Sequence, residues 1–233
     1  MNSVNSVSCI LSPVSLTVRA IVFDFDGVLA DSEPLHLASL QEVLSALGVT
    51  LTREEYYANF LGYSDEEVFR RMAARHRWAL GEAQLAALVA QKSAVFNEAH
   101  AAGAMMYPGA RECIERLVKF FPLGIASGAL RHEIDEVLAG AGLAHHFRFI
   151  VAAGDTPNSK PAPDPYRRAA ELHGLPPSAC VAIEDSRWGI QSARAAGMKC
   201  VGITNTYPAS ELSDADAVIG SLAGFTEDLI RKL

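Results

Sequence analysis

The sequence predicts an α/β protein, a Rossmann-like parallel sheet core carrying an inserted all-helical cap domain. Short apolar runs alternate with helical patterns after residue 105, as parallel strands joined by crossover helices require. One further run, Ala20–Phe23, stands alone before residue 36. Between the two lie residues 34–103, helical in pattern throughout and without a strand candidate.

Residues 1–17 are rich in Ser, Asn and Val, with no basic leader and a weak apolar centre. They read as a flexible N-terminal extension rather than a signal peptide. Ala20-Ile21-Val22-Phe23 joins β-branched and aromatic residues in one apolar run, the pattern of a strand buried on both faces. Asp24 and Asp26 fall at its end, and Gly27 is free to take the positive φ of a sharp turn. In the insertion, Leu37, Leu40, Leu44 and Leu47 form a stripe ending at Gly48. Thr52-x-x-Glu55 and Ser64-x-x-Glu67 are capping-box patterns, and a longer helix is expected from about Glu82 to His100. The later apolar runs are 123–126, 149–152, 180–183, 199–203 and 217–219. Asp164-Pro165 is expected as an N-cap followed by proline, with Gly174 and Gly197 where helices end. The expected organisation is an extension over 1–17, a core from 18–33 and 106–233, and a cap over 34–105.

The formal charge of −7, from 20 basic and 27 acidic residues, argues against a nucleic-acid partner, and no Lys/Arg run appears. An anionic substrate therefore needs local positive charge or a metal. No apolar stretch approaches the roughly 20 residues that span a bilayer, so no membrane partner is expected. Cys9, Cys113, Cys180 and Cys200 are widely spaced without a CxxC, and three lie in apolar contexts. Reduced core thiols, a cytoplasmic location and a monomer are expected.

Two carboxylates about 4 Å apart repel by roughly 4 kcal/mol at an effective dielectric near 20, so Asp24 and Asp26 call for a cation, a shared proton or a chemical task. Asp24 could attack phosphorus, and Asp26 could protonate the leaving oxygen and later activate water. Capping by Asp26 and Asp31 is the alternative. Ser127-Gly128, Asp155, Glu184-Asp185 and Thr204-Asn205 follow the later strands, and ligands of open α/β sheets bind outside the strands' carboxyl ends. Glu184-Asp185 brings a second acidic pair there, best explained by Mg²⁺. Asp24, Asp185 and the carbonyl of Asp26 are expected as ligands, with Glu184 acting through water or by orienting its neighbours. Lys160, in the proline-stiffened Ser159–Pro165, could neutralise a phosphoryl oxygen. The Ser127 hydroxyl and Gly128 N–H could hold another.

Asp24-Phe25-Asp26-Gly27-Val28-Leu29-Ala30-Asp31-Ser32, Ala126-Ser127-Gly128, Lys160-Pro161-Ala162-Pro163-Asp164 and Ile183-Glu184-Asp185-Ser186-x-x-Gly189 together resemble the haloacid dehalogenase superfamily. They occur in its order and spacing from about residue 18 onward. The chain looks most like the branch with a helical cap after the first strand, which includes β-phosphoglucomutase and many sugar-phosphate phosphatases. The resemblance implies aspartate-nucleophile chemistry on a small phosphorylated substrate. Asp26, which the dehalogenases and phosphonatases lack, points to phosphate esters.

His36 and Lys92 stand where the mutase carries a hinge histidine and a cap lysine. Its phosphate-binding cap arginine appears here as Asp65, however, and its Ser-Lys pair as Ala129-Leu130. A phosphatase is therefore favoured over a mutase. Contacts that set the substrate are expected in the loop from Asn59 to Asp65, which holds Gly62, and near Lys92. Lys92 lies on the stripe of Leu85, Leu88 and Phe96 and could instead snorkel to water, and His36 could be a satisfied, partly buried histidine. Trp188 is expected to pack. A signalling phosphoacceptor shares the acidic cluster, Ser/Thr and Lys but has no cap, and a DxD glycosyltransferase leaves Lys160 and Glu184-Asp185 without a role.

Overall fold

The computed structural model describes residues 18–60, 63–101 and 106–233. Its strands are β1 (Ala20–Phe23), β2 (Leu123–Ala126), β3 (Phe147–Val151), β4 (Cys180–Glu184), β5 (Lys199–Ile203) and β6 (Ala217–Ile219). They form one six-stranded sheet in the order β3-β2-β1-β4-β5-β6, with every neighbouring pair parallel. The most continuous apolar runs take the middle of the sheet: β1, β2 and β4 are buried at every residue, while β3 and β6 at the edges are partly open.

Successive residues of β1 face opposite layers. Ile21 and Phe23 join the core on one side, with Ile114, Leu117, Ile134 and Leu138 from α5 (Ala110–Leu117) and α6 (Arg131–Gly140). Ala20 and Val22 join the other, with Tyr166, Ala169, Ile190 and Ala193 from α7 (Asp164–His173) and α8 (Arg187–Ala196). A short C-terminal helix, α9 (Glu227–Arg231), adds Ile230 to the first layer. Gly174 and Gly197 end α7 and α8 in the left-handed conformation, as expected. The cap of α7 falls one residue early: Pro163 holds the N-cap position, so Asp164 already sits in the first turn and accepts from Asn158.

The stretch between β1 and α5 folds as α1 (Glu33–Ala46), α2 (Arg53–Asn59), α3 (Asp65–His76) and α4 (Glu82–Ala101). These helices enclose their own apolar cluster, with Leu40, Leu44, Leu51, Phe69, Met72 and Leu85 at its centre. Thr52 and Ser64 cap α2 and α3 by accepting the N–H of Glu55 and Glu67. Leu47 leaves the expected stripe: it follows the last turn of α1 and is 46% exposed. Among the described residues no helix is long and apolar enough to cross a membrane.

The strand order places β1 beside β2 on one flank and β4 on the other, so the chain reverses its winding between β1 and β4. A crevice opens at the carboxyl ends of strands at such a reversal. Phe23 is level with Ile183, and the Asp24 N–H donates to the Ile183 carbonyl at 3.0 Å. That register sets Asp24 beside Glu184 and Asp185.

Candidate active site

The turn after β1 is held from three sides. Phe25 is buried, and its carbonyl accepts the N–H groups of Leu29 and Ala30. Gly27 has φ +76°, and a Cβ there would overlap the Asp185 carboxylate, so glycine is required on both counts. The Asn205 side chain donates to the Gly27 carbonyl at 2.8 Å, tying the end of β5 to the turn. Neither acid in the turn caps α1. Ser32 holds that position without a side-chain cap bond and donates to Asp26 Oδ1 at 2.8 Å, while Asp31 takes the Tyr107 hydroxyl.

Asp24 is 8% exposed and accepts from Lys160 Nζ at 2.7 Å. The same ammonium donates to Glu184 Oε1 at 2.6 Å and lies 5.0 Å from the Tyr166 ring centre. Glu184 is fully buried and fully engaged. Its Oε1 also accepts the Tyr166 hydroxyl at 2.6 Å, and its Oε2 accepts Ser186 Oγ at 3.2 Å. Ser186 is the cap of α8, accepting the Gly189 N–H, so Glu184-Asp185 is not needed for that purpose. A Cβ on Gly189 would collide with the Glu184 carboxylate, which explains the glycine in the first turn of α8.

One ammonium faces three carboxylates here. Burial, and then the charge of Glu184, push Asp24 up to about 7 against the pull of Lys160. Asp185 is also pushed well up, by burial and by the charges of Asp24 and Glu184. Burial alone would lower Lys160, but Asp24 and Glu184 outweigh it and raise it. Oxygens of Asp24, Glu184 and Asp185 lie within 4.8 Å of one another. A buried, under-neutralised set of hard oxygen donors fits a hard divalent cation. Since Lys160, Tyr166 and Ser186 occupy Glu184, the acids that could ligate directly are Asp24 and Asp185, with Glu184 orienting Lys160.

Ile125 of β2 is also level with Phe23, which brings Ser127 and Gly128 to the same edge as Asp24. Ser127 is buried, and its Oγ accepts the Ala129 N–H at 3.0 Å. Gly128, Asp26 and His36 border a cleft between the turn and the helical insertion.

Lys92 does not snorkel. It is 2% exposed, with Nζ 2.7 Å from His36 Nδ1, 3.0 Å from Asp65 Oδ1 and 4.8 Å from the Phe96 ring centre. The reason is that a carboxylate and an imidazole meet its ammonium inside the insertion. Gly62 lies outside the described residues, as does Cys9; Cys113, Cys180 and Cys200 are buried free thiols. Asp155 does not join the site, because its carboxylate accepts from Arg131 and from the Ala152 N–H. Trp188 is not core packing: it is exposed and stacked against the Arg187 guanidinium at 4.5 Å.

The sequence reading missed Tyr166 and the pair Glu33–Tyr56, whose hydroxyl–carboxylate bond is 2.6 Å. Tyr166 left a signal. It shares a helix face with Ala169 and Ala170, and a buried tyrosine hydroxyl needs a partner.

Comparison with known proteins agrees with this arrangement. A family model described as haloacid dehalogenase-like hydrolase matches residues 21–203. Protein CbbY of Rhodobacter capsulatus is 34% identical over 230 residues, covering 94% of this chain and 100% of that one. Phosphoglycolate phosphatase of Escherichia coli is 28% identical over 226 residues, covering 88% and 90%. The structure of CbbY from Rhodobacter sphaeroides in complex with phosphate superposes with a TM-score of 0.76 at 27% identity, covering 93% of this chain and 100% of that one.

Proposed function

Because the chain belongs to the haloacid dehalogenase-like hydrolase family, we propose that it is a Mg²⁺-dependent phosphatase that hydrolyses a small phosphorylated metabolite, such as a sugar phosphate, through an aspartyl-phosphate. The observation that carries this reading is the Asp24 carboxylate 2.7 Å from the buried Lys160 ammonium, in an acidic cluster at the reversal of the sheet. The phosphatase named among the relatives and the phosphate bound to CbbY support it.

An oxygen of Asp24 attacks phosphorus, the bond from phosphorus to the ester oxygen breaks, and Asp26 gives that oxygen its proton. Asp26, now a carboxylate, then takes a proton from water, whose oxygen attacks the aspartyl phosphorus. The bond to Asp24 breaks, phosphate leaves and both carboxyl groups return to their starting states. Lys160, held by Glu184 and through it by Tyr166, neutralises a phosphoryl oxygen, and Ser127 and the Gly128 N–H hold another. Asp24, Asp185 and the Asp26 carbonyl would hold Mg²⁺, which supplies charge neutralisation and orients the phosphoryl group. Residues 34–105 act as a cap that excludes water from the site. Transfer to water rather than to a second sugar hydroxyl fits Asp65 and Ala129-Leu130, which offer no cationic grip on a second phosphate.

A screen of phosphorylated metabolites for Mg²⁺-dependent phosphate release tests the proposal. Steady turnover of at least one ester is expected, with a phosphoryl adduct on the Asp24 peptide after acid quench. No release from any ester would overturn it.

A further inference from the structure

The cleft between the acidic turn and the helical insertion has a volume of about 470 Å³, within the range of small-molecule sites. Asp26 and Gly128 border it on the core side; Glu33, Tyr56, Tyr63 and Asp65 border it on the other. Among the described residues that line it, none is a lysine or arginine. Lys92 is buried behind this wall with its ammonium against Asp65 and His36, and Arg71, stacked on the Tyr63 ring at 4.2 Å, is paired with Glu67 at 2.8 Å. At 3.0 Å the charges of Lys92 and Asp65 largely cancel for anything in the cleft. The polar side chains facing the cleft are then carboxylates, hydroxyls and the His36 ring, beside the apolar Leu40 and Val68.

We propose that this wall selects phosphate monoesters whose leaving group is an uncharged polyol or sugar, and turns away substrates with a second anionic group. The inference rests on the phosphatase reading above and names the substrate class of that same site. Carboxylates only accept hydrogen bonds, and the hydroxyls of a polyol only need to donate to satisfy them. A second phosphate or a carboxylate brings acceptors alone. It would face Asp65 and Glu33 across the cleft, an arrangement that rejects by repulsion rather than by poor fit. Asp65 is the main determinant, because it both repels an anion and occupies the ammonium that would attract one.

Glucitol 6-phosphate and 6-phosphogluconate differ only in a terminal alcohol against a carboxylate, so they isolate the effect. With the Mg²⁺-loaded full chain, kcat/KM should favour glucitol 6-phosphate by at least about thirtyfold. Asp65→Asn should shrink that ratio about tenfold, and adding Lys92→Met should reverse part of that change, since the uncovered ammonium produces part of it. Calorimetry of the same two ligands on Asp24→Asn reads the discrimination without turnover. A preference for the neutral ligand there, with no phosphate release by wild type, would refute the phosphatase reading and leave the selectivity standing. No preference, whether both ligands bind or neither does, overturns the inference, as does a ratio that Asp65→Asn leaves unchanged.

Discussion

Two buried lysines stand in similar surroundings, one in the sheet core and one in the helical insertion. Lys160 lies against the Tyr166 ring and Lys92 against the Phe96 ring, and each donates to a carboxylate within 3.0 Å. Their charge balance differs. Lys160 pairs with two carboxylates, Asp24 and Glu184, in a cluster that also holds Asp185. Lys92 pairs with one, Asp65, and its ammonium also lies 2.7 Å from Nδ1 of His36. A buried charge is tolerated when it is paired, and the set around Lys92 is close to complete. The set around Lys160 is not. Its excess negative charge is held in place by burial and by the register of β1 on β4, and it is a set that a cation would complete. The imbalance, more than the burial, marks the place where chemistry is proposed.

The largest effect should come from the core. Asp24→Asn keeps the shape of the side chain and removes the proposed nucleophile, so phosphate release should fall below about a hundredth of wild type with the circular dichroism spectrum unchanged. Greater residual activity would rule out Asp24 as the attacking group. Next in size is Asp185→Ala, or excess chelator on wild type. Either should abolish turnover while leaving a folded protein, and full activity in chelator would remove the metal from the account.

The insertion should respond in stability instead. Lys92→Met leaves Asp65 without its cation and loses the ammonium's contact with the Phe96 ring. Asp65 is partly open to water, so the cost should be modest, about 1–2 kcal/mol by urea denaturation. The double variant with Asp65→Asn should recover part of it; no recovery would mean that the two side chains are not energetically coupled.

The smallest expected effect is the pH dependence of the metal-free protein. Asp24 is raised from 3.8 to about 7, and Asp185 is raised as well. The folded state therefore holds protons that the unfolded chain has already released. Their contribution to stability is fully present below about pH 4 and is lost as pH climbs through about 7. The melting temperature without metal should fall by several degrees from about pH 5 to pH 8, and Mg²⁺ should restore it at the higher pH. A rise over that window without metal would contradict the crowding of carboxylates around Lys160.

Much of this was legible in the sequence, because a parallel sheet converts strand ends into neighbours. Asp24, Ser127 and Glu184-Asp185 each follow or end an apolar run, and one topological rule brings them together. The same rule misplaced Asp155, since β3 lies at the edge of the sheet and its end meets Arg131. Tyr166 was hidden for a different reason. A helix face tells which residues are buried, but not which distant acid a hydroxyl will reach. In the insertion, a lysine on an apolar stripe reads alike whether its ammonium bends to water or meets an acid from another helix. Only the packing of α1, α3 and α4 decides that His36 and Asp65 receive it.

The bond from Lys160 to Asp24 joins residues 136 apart in the chain, and that from Asn205 to Gly27 spans 178. None of the four helices from Glu33 to Ala101 supplies a donor or acceptor to either bond. Contacts of such long range form only after the intervening chain has been ordered, whereas α1 to α4 are built from contacts much nearer in sequence. During refolding the helical insertion should therefore acquire its structure early, and the carboxylate cluster should be the last part to assemble. Under the proposed function, recovery of Mg²⁺ affinity would then measure completion of the whole fold, and an intermediate with only the helical signal of the insertion would still be unable to bind the ion.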